Sequence, residues 1–381
     1  MKKYFVLSGL ALRDNNRGTA ALGYGAFSFL YNRGILNDDH EVLVMHFTKR
    51  PWHWKDKREV INIQGKQWIV NTVYFSALER FLYFKGILPR FSKLWKYTSN
   101  IEFVASINGG DGFSDIYNTF TFKQRLGESL FAMKNGIRLI QLPQTMGPFE
   151  KPENYMIAKK ILLYSDLVFV RDTKFVQELT KMGINYELTN DLSAYMEPEP
   201  WDIDIIPDSV GLNVSGLCYS NSFRTLSGQF EFYPDLIDGI ISNFQKKGKT
   251  IYLIPHSYNY YEPEESNDDI IACRNAYDRL KDKSNVYFID NDLISPQIKY
   301  VISKMSFFIG ARMHANFAAI YTNVPVFGTA YSYKFEGAFD ANGLNGKEQT
   351  AMINNISVSD IPLIIDKINK FYNKVIDKNK I

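Results

Sequence analysis

Residues 307–320 read FFIGARMHANFAAI, and residues 324–334 read VPVFGTAYSYK. The first stretch predicts a buried strand, a glycine turn and a helix, and the second predicts a buried strand and a loop that ends at Lys334. Arg312 and His314 fall where the strand gives way to the helix, beside unpaired backbone N–H groups and the positive end of the helix dipole. Lys334 follows the carboxyl end of the next strand, where open α/β sheets bind ligands. The pattern predicts an anion site.

A purely structural interpretation of these three residues is the alternative. Arginine and histidine at a helix start are often satisfied by structural partners, and a lysine in a loop is usually solvated. The three groups bracket one strand–helix–strand unit whose other residues are mostly apolar. Their convergence favours the functional interpretation.

The composition is that of a folded globular protein with two domains. The chain has 381 residues, of which 45% are hydrophobic and 22% are charged, and a formal net charge of +3. So small a charge gives no indication of nucleic-acid binding. Cys218 and Cys273 are the only cysteines, so we expect neither a disulfide framework nor a thiolate metal site, and a cytoplasmic location fits best.

Apolar runs and helical patterns alternate along the chain, which predicts α/β architecture with parallel sheets covered by helices on both faces. Residues 197–207, EPEPWDIDIIP, are acidic, rich in proline and without periodicity. They divide the chain into a predicted N-terminal domain, residues 1–197, and a C-terminal domain, residues 198–381. A terminal helix is predicted from Val358 to Asn373, and it is a candidate to cross back to the first domain.

Glycine-rich loops supply the candidate ligand-binding residues of the first half. Asn16 and Gly18 lie in a turn that leads from a strand into a helix, although a tight packing turn is an equally good interpretation. Gly110 permits close approach of a ligand, and Asp111 and Asp115 are candidates for a general base or for accepting hydrogen bonds from sugar hydroxyls. The alternative for these aspartates is that they close the turn.

The second half offers further candidates at strand ends. Asn213 and Ser215 follow a strand that begins at Val210, and His256 follows the strand that ends at Pro255. His256 is a candidate ligand contact, but a single histidine in a loop is more often incidental.

The segment Arg80–Lys96 is basic and aromatic. Its aromatic residues are Phe81, Tyr83, Phe84, Phe91 and Trp95, and after Arg80 it contains no acidic residue. Such a composition suits a membrane surface, where rings lie at the headgroup level and cations meet anionic lipid. An amphipathic helical hairpin packed on its aromatic face is the alternative. No apolar run approaches the ~20 residues of a membrane-spanning helix.

Several motifs together resemble the polysaccharide pyruvyl transferase family. They are Asn16-Arg17-Gly18, Ile107-Asn108-Gly109-Gly110, residues 142–149 (LPQTMGPF), Val170-Arg171-Asp172, Asn190-Asp191, residues 310–315 (GARMHA) and Tyr333-Lys334. The resemblance implies two Rossmann-like domains facing one another across a cleft, as in GT-B glycosyltransferases. It also implies transfer of pyruvate from phosphoenolpyruvate to two hydroxyls of a sugar as a ketal, with release of phosphate.

The resemblance also implies roles for the candidate residues. Arg312 and Lys334 suit the two anionic groups of phosphoenolpyruvate, His314 is the expected general acid or phosphate partner, and Asp111 is preferred to Asp115 as base. Asn213, Ser215 and His256 complete the expected donor site, and the expected acceptor site comprises Asn16, Gly18, Gly110, Asp111, Asp115 and Gln144. No cofactor or metal is expected. The expected acceptor is an oligosaccharide linked to undecaprenyl diphosphate, at the inner face of the plasma membrane.

Two other functions remain compatible with the same basic pocket. A GT-B glycosyltransferase would hold a nucleotide diphosphate there. A non-catalytic protein that binds anionic glycans would keep the fold without the chemistry.

Overall fold

The computed structural model describes residues 3–84, 87, 92–116 and 118–378. The chain divides into two compact units. The first contains Met1–Ala11 and Leu22–Met196, and the second contains Leu12–Ala21 and Glu197–Ile381. Both are built from helices and mainly parallel sheets, which confirms the α/β fold class.

The first unit is built on one sheet. Its strands are β1 (Lys3–Leu7), β2 (His40–Thr48), β3 (Lys57–Ile63), β4 (Lys66–Ser76), β5 (Ile101–Ser106), β6 (Arg138–Gln144), β7 (Leu167–Val170) and β8 (Glu187–Leu188). Among the described residues these form an eight-stranded sheet in the order β3-β4-β2-β1-β5-β6-β7-β8. The pairing of β3 with β4 is antiparallel, and the other pairings are parallel.

Helices flank this sheet. They are α1 (Arg17–Asn32), α2 (Ala77–Phe84), α3 (Lys93–Thr98), α4 (Thr119–Arg125), α5 (Gly127–Asn135), α6 (Pro152–Tyr164) and α7 (Val176–Met182), with 3-10 turns at Pro51–His53 and Leu192–Tyr195. The ends of α5 and α7 follow from glycine, because Gly136 and Gly183 adopt the left-handed conformation that closes a helix. Phe5 of β1 stacks on Phe103 of β5, at the centre of the sheet.

The segment Leu12–Ala21 belongs to the second unit, whereas the sequence assigned it to the first domain. The backbone N–H of Arg17 donates to the His256 carbonyl at 3.1 Å, and that of Tyr258 donates to the Asn15 carbonyl at 2.9 Å. These bonds join residues far apart in the chain, so no local pattern reveals them. The first turn of α1 is therefore grouped with the second unit.

The second unit has a fully parallel sheet. Its strands are β9 (Val210–Asn213), β10 (Ile251–Leu253), β11 (Val286–Phe288), β12 (Phe307–Gly310), β13 (Val326–Ala330) and β14 (Thr350–Met352). Within the described part of the chain their order is β11-β10-β9-β12-β13-β14. The sequence of strands reverses direction at β9 and β12, with Gly310 opposite Asn213. Such switch points are where α/β sheets bind ligands.

The helices of the second unit are α8 (Gly216–Ser220), α9 (Tyr233–Lys246), α10 (Asp269–Arg279), α11 (Ser295–Ser303), α12 (Met313–Ile320), α13 (Lys334–Ala341), α14 (Gly346–Gln349) and α15 (Asp360–Lys378), with a 3-10 turn at Arg224–Leu226. Helix α15 confirms the predicted terminal helix but begins two residues later, at Asp360, and continues to Lys378. Its Ile364, Ile368, Phe371 and Tyr372 are spaced three or four residues apart and lie in one core with Phe307 of β12. The terminal helix thus completes the core of the second unit.

Candidate functional site

Asp269 lies at the centre of a cluster at the carboxyl ends of β9, β10 and β12. This carboxylate is fully buried and opens helix α10. It contacts Asn213, His256 and Arg312, which the sequence predicted as donor-site residues. The cluster therefore brings together candidates that come from three separate strands.

Hydrogen bonds from both its backbone and its side chain hold Arg312 in place. Its backbone N–H donates to Asn213 Oδ1 at 2.9 Å, and its Nε and Nη2 donate to Asp269 Oδ1 at 3.0 and 2.7 Å. Nη2 also donates to the carbonyl and side-chain oxygens of Asn267 at 2.8 and 2.9 Å. Burial opposes the charge, but Asp269 outweighs it, so the pKa of the guanidinium lies above its ordinary value. Arg312 is a permanent, oriented cation.

Asn213 and Ser215 form the frame of the site. The Asn213 side chain donates to the Ile254 carbonyl at 3.0 Å and to Asp269 at 3.2 Å, so it links β9 to β10. Ser215 is buried before α8, and its backbone N–H donates to the Tyr233 hydroxyl at 3.2 Å. These contacts orient backbone and side chains around Arg312.

His256 is a buried, neutral imidazole. Its backbone N–H donates to Asp269 Oδ2 at 3.1 Å, and the residue is 3% exposed. Burial, together with the neighbouring His314, Arg312 and Arg17, holds the pKa of His256 well below its ordinary value. A charged His256 is excluded at neutral pH, which leaves it as a neutral hydrogen-bonding group.

His314 lies in the first turn of α12, against the first turn of α1. A Cβ atom on Gly18 would lie 2.5 Å from His314 Nδ1 and 2.6 Å from its Cγ, so only glycine fits there without displacing the ring. Asn16 caps α1, because its Oδ1 accepts a 3.0 Å hydrogen bond from the Gly18 N–H. The sequence assigned Asn16 and Gly18 to the acceptor side, but both lie in the unit that contains His314.

Arg17 anchors this turn; the sequence placed it in the motif Asn16-Arg17-Gly18 but not among the candidate site residues. Nε donates to the Leu293 carbonyl at 2.8 Å, Nη1 donates to the Asp14 carbonyl at 2.7 Å, and Nη2 pairs with Asp292 at 3.0 Å. The guanidinium also lies over the ring of Tyr258. With these partners Arg17 fixes the start of α1 beside His256 and His314.

Lys334 begins helix α13 and is exposed. Its backbone N–H donates to Ser332 Oγ at 3.3 Å. None of the hydrogen bonds around Asp269 described above involves Lys334. Its role as a partner of an anion stays a prediction.

A cavity of about 220 Å³ opens beside the Asp269 cluster. Asn267, the partner of Arg312, lines it together with Ser257 and Asp268, and Glu262 and Glu264 add further carboxylates. Amides, hydroxyls and carboxylates are suitable partners for hydroxyl groups, whereas the negative charge disfavours a phosphate.

In the first unit, a second polar cluster surrounds Arg171, at the end of β7. Its Nη1 donates to Asp191 at 2.7 Å and its Nε donates to the Thr145 hydroxyl at 3.1 Å. A Cβ atom on Gly110 would lie 2.5 Å from Arg171 Nη1. Burial opposes the charge of Arg171, but Asp191, Asp172 and Asp111 outweigh it and raise its pKa. Predicted residues Gly110 and Asp111 thus lie beside a buried cation.

Asp115 and Gln144 have structural partners. Asp115 accepts hydrogen bonds from the backbone N–H groups of Glu150 and Lys151 at 2.9 and 3.1 Å, and from Asn154 at 2.8 Å, so it caps the start of α6. Gln144 is buried and links β6 to β5 through the Ser106 carbonyl, at 3.1 Å. Of the two aspartates proposed as base, Asp115 has the structural role that the sequence offered as its alternative.

The described part of Arg80–Lys96 forms α2 and α3. Residues 85, 86 and 88–91, including Phe91, lie outside the described residues. Phe81 is 59% exposed and Trp95 is 37% exposed, so these two rings are not buried as a packed aromatic face requires. None of the helices described is long and apolar enough to cross a membrane.

Sequence reasoning did not select Asp269, Arg171 or Asp191 as site residues. Asp268-Asp269 before an apolar helical pattern is a recognisable helix start, which is the one local signal for Asp269. Arg171 and Asp191 stand in motifs that carried the family resemblance. Nothing in their spacing shows that they pair.

Comparisons with known proteins show the family of this chain and the class of its fold. A family model described as polysaccharide pyruvyl transferase matches residues 16–333. No curated protein matches the sequence. Among solved structures, the UDP-GlcNAc 2-epimerase from Methanocaldococcus jannaschii superposes with a TM-score of 0.53 at 9% identity, over 97% of this chain and 92% of that one.

Two further epimerase structures agree with this fold. A putative UDP-N-acetylglucosamine 2-epimerase from Listeria monocytogenes gives a TM-score of 0.54 at 12% identity, over 97% of this chain and 88% of that one. The UDP-GlcNAc 2-epimerase from Neisseria meningitidis, bound to UDP-GlcNAc, gives a TM-score of 0.52 at 11% identity, over 99% of this chain and 92% of that one. At such low identity these similarities establish a GT-B-like fold and nothing about substrate.

Proposed function

The chain belongs to the polysaccharide pyruvyl transferase family, and we propose that it transfers pyruvate from phosphoenolpyruvate to two hydroxyls of a sugar. The observation that supports this most directly is the cluster at the β9–β12 switch point. An oriented Arg312, a neutral His256 and His314 beside the first turn of α1 meet there. This combination suits a donor that carries both a carboxylate and a phosphate.

The proposed reaction forms two C–O bonds and breaks one. Two sugar hydroxyl oxygens bond to C2 of phosphoenolpyruvate, the bond between C2 and the phosphate ester oxygen breaks, and phosphate leaves. One hydroxyl proton is balanced by the proton that converts the methylene to a methyl group, and the other leaves with the phosphate. The protein must therefore deliver one proton to carbon and remove protons from hydroxyls.

His314 is the proposed general acid or phosphate partner, and Asp111 is the proposed base. An imidazole exchanges protons near neutral pH, and Gly18 leaves room for the ring in the position that the structure shows. Asp111 remains the better base because Asp115 already accepts three hydrogen bonds at the start of α6. Arg312 and Lys334 are the proposed cations for the donor.

The test is incubation with phosphoenolpyruvate and a panel of galactose- and mannose-type acceptors, free and lipid-linked. We expect a product heavier by pyruvate less water, with one phosphate released per ketal. His314→Ala is expected to lose about 100-fold or more in turnover while it remains folded. Absence of product with every acceptor would contradict the proposed function. Full turnover in His314→Ala would contradict the role of His314.

A thermal-shift experiment separates this function from the glycosyltransferase alternative. Phosphoenolpyruvate should raise the unfolding temperature, because a ligand that binds only the folded state stabilises it. Sugar nucleotides should leave the temperature unchanged. The reverse pattern would favour a nucleotide-sugar enzyme, and binding of phosphoenolpyruvate without turnover would favour a non-catalytic binding protein.

We also propose that the acceptor is linked to undecaprenyl diphosphate and that α2 and α3 contact the inner face of the membrane. The support is the exposure of Phe81 and Trp95 next to exposed Arg80, Lys93 and Lys96. Ser92, the cap of α3, donates a 2.9 Å hydrogen bond to Glu79 of α2, which holds the two helices together.

Vesicle co-sedimentation tests this contact. The protein should co-sediment with anionic vesicles at low salt and less so at high salt or with neutral vesicles. Joint replacement of Phe81 and Trp95 by serine should weaken binding, whereas Tyr261→Ser should not, because Tyr261 is a still more exposed ring but lies in the second unit. Absence of binding to anionic vesicles would contradict the membrane contact without affecting the transferase proposal.

A further inference from the structure

We propose that Asp269 is the positioning residue of the donor site and that it acts through Arg312. The inference rests on the proposed function for its kinetic consequence, but its structural part stands independently. Asp269 is fully buried and has no path to a substrate, since hydrogen-bond donors of the protein surround it. It is therefore a residue that orients others.

Each oxygen of Asp269 has its own set of partners. Oδ1 accepts hydrogen bonds from the Gly216 N–H and from Nε and Nη2 of Arg312. Oδ2 accepts hydrogen bonds from the N–H groups of His256 and Ser257 and from the Asn213 amide. Every one of these partners is a donor. A carboxylate has an acceptor oxygen for each set, whereas an asparagine amide would replace one acceptor by a donor.

The pairing decides which side of Arg312 meets a ligand. An arginine has five N–H donors on a planar fork. The Nε hydrogen and the two Nη2 hydrogens point toward Asp269 and Asn267, at 2.7 to 3.0 Å. None of these hydrogen bonds uses the two hydrogens on Nη1. The donor is therefore bound through the Nη1 side, and a fork-to-fork grip through Nε and Nη2 is excluded.

Asp269 also fixes the position of the cation. A carboxylate that accepts from two atoms of a guanidinium defines both its plane and its rotation. Without that contact the long side chain has several rotamers, and a misplaced catalytic group loses rate steeply even when its charge is kept. The effect of Asp269 should therefore appear in turnover and depend on the forked shape of Arg312.

The first experiment compares Asp269→Asn with Asp360→Asn. Both replacements conserve size at the first residue of a helix of the second unit, but Asp360 opens α15 and accepts hydrogen bonds from the backbone N–H and the hydroxyl of Ser357. The oxygen of an asparagine can accept the same hydrogen bonds, so Asp360→Asn should keep kcat/KM for phosphoenolpyruvate within about twofold. Asp269→Asn should lower it about 100-fold in protein that remains folded. Equal losses in both variants would overturn the proposal.

A double-mutant cycle tests whether the effect passes through Arg312. Arg312→Lys keeps the charge, but a lysine has a single side-chain nitrogen, so a carboxylate cannot orient it through two nitrogen atoms. When Asp269→Asn is added to Arg312→Lys, kcat/KM should therefore fall by less than about threefold relative to Arg312→Lys alone. If the two losses multiply, Asp269 acts independently of Arg312 and the inference is wrong.

A readout that needs no activity distinguishes this inference from the proposed function. In protein with isotope-labelled arginine, the Nε–H of Arg312 should exchange slowly with solvent in the wild type and in Asp360→Asn, and rapidly in Asp269→Asn. Rapid exchange in the wild type would overturn the inference even if pyruvate transfer were found. Slow exchange in a wild type without transferase activity would overturn only the proposed function.

Discussion

Gly18 shows how one missing methyl group leaves room for the ring of His314. Its backbone runs against the imidazole of His314, where a Cβ atom would lie 2.5 Å from Nδ1. We expect Gly18→Ala to lower kcat by about 10- to 100-fold, because the ring must move. Gly337→Ala in α13 is the matched control, since its Cβ would meet nothing within 4 Å. Steady-state kinetics decide, and wild-type kcat in Gly18→Ala would mean that the position of His314 is not critical.

His256 gives the folded state a specific dependence on pH. Its pKa lies well below the ordinary value of 6.5, so below pH 6.5 the unfolded chain binds a proton that the folded state does not. Its contribution to stability is complete above that pH and is lost as the pH falls toward the folded pKa. From about pH 7.5 to about pH 5.5 the free energy of unfolding should fall by about 1.4 kcal/mol more in wild type than in His256→Gln. Denaturant titrations at each pH measure the free energy of unfolding of the wild type and of His256→Gln. The same pH dependence in both proteins would contradict a neutral His256.

At the level of single elements, the start of α6 separates the two candidate bases. Burial by itself raises the pKa of Asp115, but hydrogen bonds from Asn154, Glu150 and Lys151 outweigh it and hold the pKa below its ordinary value. Asp115→Ala should lower the free energy of unfolding by about 2 kcal/mol and leave the folded protein active. Asp111→Ala should leave the free energy of unfolding nearly unchanged and lower turnover by about 100-fold or more. Chemical denaturation and turnover, measured together, check the pair.

Some elements followed from sequence and others did not. The apolar strand at Phe307–Gly310 and the helix after it were predicted because a short buried run and a glycine turn are local signals. The antiparallel strands β3 and β4 were not predicted. Their hairpin turns at Gln64-Gly65, both at positive φ, yet charged residues on β3 interrupt the alternation that marks a strand.

On the scale of the whole molecule, each unit has its own core, and α15 is required for the second. Ile368 is fully buried against the sheet, whereas Lys370 on the same helix is exposed and pairs with Asp366. Ile368→Ala should lower the free energy of unfolding by about 2–5 kcal/mol. Lys370→Ala should change it by less than about 0.5 kcal/mol. Thermal or denaturant unfolding compares the two, and equal effects would contradict the assignment of α15 to the core.

The sequence by itself determined the alternation of strands and helices, the family resemblance and the identity of Arg312 and His314 as residues at a strand end. These follow from periodicity and from motifs a few residues long, which local physics controls. Only the tertiary structure decided that Arg312 pairs with Asp269, 43 positions away, and that Arg17 pairs with Asp292, 275 positions away. Whether a polar side chain is already satisfied depends on which distant groups the fold brings within hydrogen-bond distance. For that reason the sequence offered both Asp111 and Asp115 as candidate bases, and only the structure shows that Asp115 accepts three hydrogen bonds at the start of α6.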